Sequence, residues 1–413
     1  MRLLPVLCGG RLVERKLVSI AELPHSHLVA PTGAPRPREG ATAIIVAALL
    51  GEYSLLIMPF IITAMMQGYG LSEVRAGYLI SLQLLAMSTA AVVVSYLVAH
   101  VAPRRIAVVA AVFICIANIG CALGLSTAAL ILARCATGLA EGSLMAAGAA
   151  LAAGVRHPHR LFSALGLVIA TVAAVALLLT PLLFMHLGAR GIFWLLGISP
   201  TAVLASAPFL PRVKPRTADV PHVSAFRIVG ARYVLLAFAL LWIGASALWV
   251  FAERIGSSQG LSLAEIATFL AIGQVAGIVG PVIAARFGER AELHVSIAVG
   301  ATAMVVGDFL MVFGGMPSTF VAGVSLLSIA IMFLTPCFRT LMVQLDGTGG
   351  VVAMSAAFYT VGFGAAPLLV GGIESAGASY GAMAWLSVVA FTVSGILAAR
   401  ARTLRLRAAI APT

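Results

Sequence analysis

Twelve stretches of this chain are each long and apolar enough to cross a bilayer as a helix, which takes about 20 residues. They run at about 42–66, 76–100, 106–125, 127–152, 162–186, 191–211, 233–252, 264–285, 294–315, 317–338, 350–373 and 380–400. Across all 413 residues, 61% are hydrophobic and 10% charged. A water-soluble domain needs roughly 25% charged residues to cover its surface, so soluble folds are excluded. The short alternating segments of a membrane barrel are missing, which makes the runs helices. The expected fold class is an all-α membrane protein with twelve transmembrane helices.

The charge pattern sets the expected orientation. The formal charge of +12 would suggest a nucleic-acid partner in a soluble protein. Here the basic residues fall in the short gaps between runs, where they act as topology signals, and no nucleic-acid partner is expected. With the N-terminus inside, 22 of the 26 basic residues lie in inside segments. Only Arg75, Arg190 and Arg254 lie outside, and Arg134 sits within a run. That asymmetry predicts an even number of spans with both termini cytoplasmic. The expected location is a bacterial inner (plasma) membrane.

Polar gaps divide the chain further. Residues 1–41 read as a disordered cytoplasmic tail, without a secretory apolar core. Residues 42–211 and 233–400 form two six-helix halves, joined by a cytoplasmic central loop at 212–232 and followed by a basic cytoplasmic tail at 401–413. A short repeat relates the halves. Gly70-Leu71-Ser72 precedes span two and Gly260-Leu261-Ser262 precedes span eight, 190 residues later. With a one-residue shift, Tyr78 corresponds to Phe269 and Gln83 to Gln274. Two parallel halves with a site between them near mid-membrane are a known transporter plan.

With these features the chain resembles the major facilitator superfamily over nearly everything after residue 41. The family's loop between spans two and three runs Gly-x-Leu-Ala-Asp-Arg-x-Gly-Arg-Arg. Here it keeps Arg104 and Arg105, with His100 at the acidic position and Pro103 at the glycine. The matching loop in the second half keeps Arg286, Gly288 and Arg290, with Ala285 where an acid is usual. In the family these loops latch cytoplasmic helix ends, so the resemblance implies a gating role for them. Span four, from Arg134 through Gly138 to Gly142, resembles the Arg-x-x-x-Gly motif of proton-coupled members. The antiporter signature of span five is missing between Leu165 and Phe184, while Gly362, Gly364, Pro367, Gly371 and Gly372 form a relaxed version in span eleven.

Four charges lie well inside apolar runs: Glu52, Arg134, Glu141 and Asp308. Each costs about 2.5–3.5 kcal/mol on insertion scales, so each needs a reason. Glu52 is about eleven residues into span one, and Glu141 about thirteen from the cytoplasmic end of span four, so both reach similar depth. The resemblance implies that spans one, four, seven and ten line a central cavity. A carboxyl there can load and release a proton, because low dielectric favours its neutral form. The competing reading is a neutral carboxyl that only fixes helix packing.

Arg134 stands two helical turns from Glu141, too far for direct contact, so it is expected to hold a carboxylate from another span or an anionic cargo, with a purely structural arginine as the competing reading. Asp308 is expected either to carry protons or to make a polar packing contact. Arg339 follows Thr335-Pro336-Cys337-Phe338, where the proline permits a bend, and it is a candidate for cargo or gating contact. Gln83 and Gln274, with Trp242 and Trp249 on one face of span seven, complete the cargo-cavity candidates.

These features predict a secondary active transporter that moves a small organic molecule by alternating access, coupled to protons and leaning to efflux. A proton-coupled importer, or a transport-inactive sensor or scaffold on the same fold, are the alternatives. No GxxxxGK[ST] phosphate loop is present, so the chain carries no ATP-driven pump of that kind. No enzyme, cofactor or metal site is expected. The expected partners are cargo, protons and lipid, with the protein a monomer.

Overall fold

Apolar helix-forming runs with glycine and proline at their ends become helices. The computed structural model describes residues 37–410 apart from 99, 125, 154, 156–157, 212–227, 288–292, 347–349 and 376–378. Among the described residues, eleven helices are long and apolar enough to cross a membrane. Span one is the twelfth, and it is broken into Pro37–Gly51, Tyr53–Leu56 and Met58–Tyr69. The others are Glu73–Leu97, Pro103–Leu123, Thr127–Ala153 and Pro158–Leu187 for spans two to five. Span six runs through Gly191–Ile198, Thr201–Ser206 and Ala207–Phe209. Span seven is Ala231–Val250 followed by Ala252–Ser258, and span eight is Leu263–Gly277 followed by Val279–Phe287. Spans nine to twelve are Leu293–Phe313, Pro317–Leu345, Gly350–Ser375 and Tyr380–Ile410.

The main differences from the sequence reading lie at the ends. Span one starts at Pro37, inside the segment expected as a tail, and span twelve continues to Ile410 through most of the expected basic tail. The rest of both expected tails, and most of the expected central loop, lie outside the described residues. Arginines do not break a helix, so charge marks where a membrane ends rather than where a helix does.

The break in span one has a chemical cause. Glu52 and Ile57 leave helical geometry, and tight three-residue turns bridge each gap, with the Glu52 amide donating to the Leu49 carbonyl and the Phe60 amide to the Ile57 carbonyl. Pro59 has no N–H to offer the carbonyl of Leu55, four residues back. Trp249 of span seven fills that vacancy, its indole Nε1 donating to the Leu55 carbonyl at 2.8 Å. Span eleven repeats the device. Pro367 frees the Phe363 carbonyl, and Ser246 of span seven donates to it at 2.7 Å.

Both halves pack by one scheme. Span four packs on spans one, two and three, span ten correspondingly on seven, eight and nine, and span three meets six as nine meets twelve. Between the halves, span two lies on eleven, five on eight, and one on seven. The Gly-Leu-Ser repeat is the shared turn of this scheme. Gly70 and Gly260 adopt φ of 66° and 83°, which a side chain resists. Two residues on, Ser72 accepts the Arg75 amide and Ser262 caps its helix in a box with Glu265.

Candidate functional site

In the first half, glycine builds the site by letting backbones meet. A Cβ at Gly138 or Gly142 would overlap the carbonyl oxygen of Gln83 or Met87, so span four lies directly against span two. Gly51 and Gly148 likewise face Met145 and Ala48 across the contact of spans one and four. Close approach brings the polar side chains of spans one to four into one buried network.

Glu141 is at the network's centre and is buried. Ser54 donates to its Oε2 at 2.8 Å and Gln83 to the same oxygen at 2.9 Å. Gln83 turns its own carbonyl oxygen to Arg134 Nη1 at 3.4 Å. Arg134, fully buried, donates from Nη2 to Asn118 Oδ1 at 2.6 Å and to Thr137 Oγ1 at 3.3 Å, and lies 5.1 Å from the ring centre of Phe193. The structure therefore joins Arg134 to Glu141 through the amide of Gln83, whose carbonyl end meets the arginine and whose amino end meets the acid. Among the described residues no carboxylate meets Arg134, whose side chain is fully buried. Gln83, expected to line the cavity, is buried in this network instead. Asn118 and Ser54 escaped the sequence reading, since an uncharged amide or hydroxyl inside an apolar run gives little signal.

The second half presents a different surface. Trp242 packs edge-on against Tyr359 at 4.4 Å between ring centres, and reaches Phe363 at 6.2 Å and Phe238 at 6.3 Å. Phe338 of span ten meets Phe238 at 5.8 Å. The indole N–H of Trp242 is buried with no acceptor among the described residues. Glu52 is half-buried at the break in span one. Arg339 is exposed, just past the Pro336 inside span ten.

The remaining candidates fall elsewhere. Trp249 serves the Leu55 carbonyl. Gln274 is half-buried without the partners that its counterpart Gln83 has. Asp308 of span nine is fully buried, and neither carboxyl oxygen has a partner among the described residues. His100, Arg105 and Arg286 are exposed and Arg104 half-buried, at the end of the bundle shared by residues 37 and 410. Gly288 and Arg290 lie outside the described residues.

The described hydrogen bonds between the halves gather toward the opposite end. Arg254 pairs with Glu73 at 3.3 Å, and Tyr380 donates to both oxygens of Glu73 at 3.1 Å. Thr63 donates to Glu253, and Trp249 to Leu55 deeper in.

Two six-helix halves, in contact through spans two and eleven and through five and eight, with buried charge beside their interface, define a two-domain membrane transporter. The sequence model of the Major Facilitator Superfamily matches residues 42–370. The chain belongs to that superfamily. A solved structure, the crystal structure of a D-xylose–proton symporter, superposes with a TM-score of 0.69 at 14% identity, over 86% of this chain and 97% of the other. At that identity the likeness bears on fold alone. A search of curated proteins gives no match.

Proposed function

We propose that this protein is a proton-coupled secondary transporter of a small organic molecule, working by alternating access between its two halves. The observation that carries the reading is Glu141, a buried carboxyl whose two donors converge on one oxygen and whose nearest cation stands behind Gln83. Burying a lone carboxylate is costly, so a site of this kind favours a bound proton and suits reversible loading. Glu52, at the broken point of span one, is the second carrier and the one that faces the interface between halves. With both termini in the cytoplasm of a bacterial inner membrane, the end closed by Glu73, Arg254 and Tyr380 faces outward. The described state is then closed to the outside. The protein works as a monomer, since one chain holds both halves of the site.

The test is a paired metabolite profile of cells and medium for wild type, Glu52→Gln and Glu141→Gln, each with and without a protonophore. A compound should redistribute only with wild type and an intact gradient. Its appearance in the medium would establish efflux, the direction that the span-four arginine motif favours, and accumulation in the cells uptake. Full gradient-driven movement in both mutants would sink proton coupling through these acids. Identical profiles with and without the wild-type protein would favour the scaffold alternative.

A further inference from the structure

The end of the bundle shared by residues 37 and 410 carries a charge cluster that the proposed transport mechanism does not use. Gly230 adopts a φ of 90°, and a Cβ there would stand 2.9 Å from the Ala401 carbonyl oxygen and 3.1 Å from the Leu345 side chain. Glycine therefore lets the start of span seven sit directly against span twelve. That approach brings Arg232 and Arg400 to one ring. Each guanidinium carbon lies 5.0 Å from the ring centre of Tyr233, and Arg232 Nη2 donates to the Tyr233 hydroxyl at 3.3 Å. The two charges thus stand within about 10 Å of each other, close enough to repel at ordinary salt.

Nothing negative among the described residues answers them. Both arginines are exposed, and neither forms an ion pair with a described residue. The first turn of span seven has no acid, and span twelve has none from Tyr380 to Ile410. Asp346, next to the Leu345 that meets Gly230, is buried and accepts the Val351 amide at 2.9 Å. Arg232 also lies at the positive end of its helix dipole, where a cation is disfavoured. One turn deeper the surface is apolar. Leu236, four residues on from Arg232, is 48% exposed, and Ile396, four residues before Arg400, is 60% exposed.

We infer that spans seven and twelve hold an anionic phospholipid here, its phosphate between Arg232 and Arg400 and an acyl chain along Leu236 and Ile396. Contact with the Tyr233 ring steadies both guanidiniums while leaving N–H donors free, and phosphate oxygens match the arginine fork. A phosphate between the two cations turns their repulsion into a shared attraction. Tyrosine at headgroup level and arginine at the end of a span are also the residues that meet lipid headgroups. A soluble phosphate would supply the charge but leave the apolar strip below it uncovered, so the lipid is the better match. The inference needs only a chain embedded in a membrane and stands apart from the proton-coupled reading above.

The experiment is native mass spectrometry of the full-length protein in detergent, titrated with phosphatidylglycerol or with phosphatidylcholine of the same acyl chains. The tightest-bound phosphatidylglycerol should be held about tenfold more strongly than phosphatidylcholine, as two arginines near a membrane surface would give. Glycerol 3-phosphate at the same concentration should not displace it. The double variant Arg232→Gln/Arg400→Gln should lose the preference, and Tyr233→Leu should weaken it by freeing both guanidiniums from the ring. Arg104→Gln/Arg105→Gln, which removes as much charge at the same end of the bundle, should keep it. Equal retention of the two lipids by wild type, a preference that survives in Arg232→Gln/Arg400→Gln, or an equal loss in the Arg104→Gln/Arg105→Gln control would each overturn the site. Displacement by glycerol 3-phosphate would overturn the lipid as its occupant in favour of a soluble phosphate.

Discussion

The two halves share a packing scheme and little of the chemistry inside it. Where span four meets span two, Gly138 and Gly142 lie on span four, facing the backbone of Gln83 and Met87. Where span ten meets span eight, the glycines are on the other partner: Gly273, Gly277 and Gly280 of span eight face Val324, Ser328 and Ile329. In the first half, the small face of span four leaves span two free to carry a glutamine into a cluster of charge. In the second half, span ten has no acid or base from Pro317 to Phe338, and Gln274 has nothing charged to meet. One half is wired with hydrogen bonds and the other is lined with rings. The difference lies in what fills the contact between spans: a hydrogen-bonded cluster around Glu141 and Arg134 in the first half, packed rings around Trp242 in the second.

The largest expected effect breaks the first half at its closest approach. Gly138→Ala places a Cβ on the Gln83 carbonyl oxygen, a backbone atom that cannot turn aside. Spans two and four must separate, at a cost near the upper end of overpacking, about 3 kcal/mol. Gly372→Ala, with nothing near its added Cβ, is the matched control and should be neutral. Thermal unfolding in detergent reads both, and equal stability would show that the glycine contact is dispensable.

A pair of polar deletions comes next. Asn118→Leu removes the 2.6 Å acceptor of the buried Arg134 guanidinium and should cost about 1.5–3 kcal/mol, the range for hydrogen bonds to charged groups. Trp242→Phe removes a donor that has no acceptor among the described residues, and should leave stability almost unchanged. If the tryptophan change proved the more destabilising, the contrast between a wired half and a lined half would collapse. Between these and the surface contacts stands Trp249→Phe. It abandons the Leu55 carbonyl that Pro59 left free, for a loss of about 1 kcal/mol in the same assay.

Much of this architecture was legible because hydropathy is a property of single residues summed over a window, and it survives any detail of packing. Spans two to nine end within a few residues of the apolar runs. The two-half plan was readable from the repeated Gly-Leu-Ser, which the fold explains as a left-handed glycine followed by a capping serine. Buried charge was equally plain, and Arg134, Glu141 and Asp308 are all buried. Partners were not. Arg134 was expected to hold a carboxylate or an anionic cargo, with a structural role as the competing reading; among the described residues it meets Asn118, Gln83 and Thr137, because which uncharged side chain faces a given turn depends on how distant helices are rotated. The breaks in span one were hidden for a related reason. Pro59 was visible, but the tryptophan 190 residues downstream that serves its freed carbonyl belongs to the other half.

The smallest effect tests how the two halves are held at the end away from the termini. Glu73 of span two accepts from Arg254 of span seven and from Tyr380 of span twelve, so one first-half acid serves two second-half donors. The arginine is 29% exposed and the acid 8%, which keeps the pair within reach of water and its net worth at about 0.2–1 kcal/mol. Glu73→Gln keeps an acceptor for Tyr380 and removes the charge. It should raise the population open at that end by about 1.4- to 5-fold without loss of fold, a ratio that follows from the same energy. Labelling of Leu56→Cys by an impermeant maleimide added outside would read the change. Arg254→Gln should give a similar increase, and the double mutant no more than either, because each removes the same ion pair. Additive effects would mean that the two charges hold the halves independently, and a fall in labelling would mean that this contact belongs to the open state.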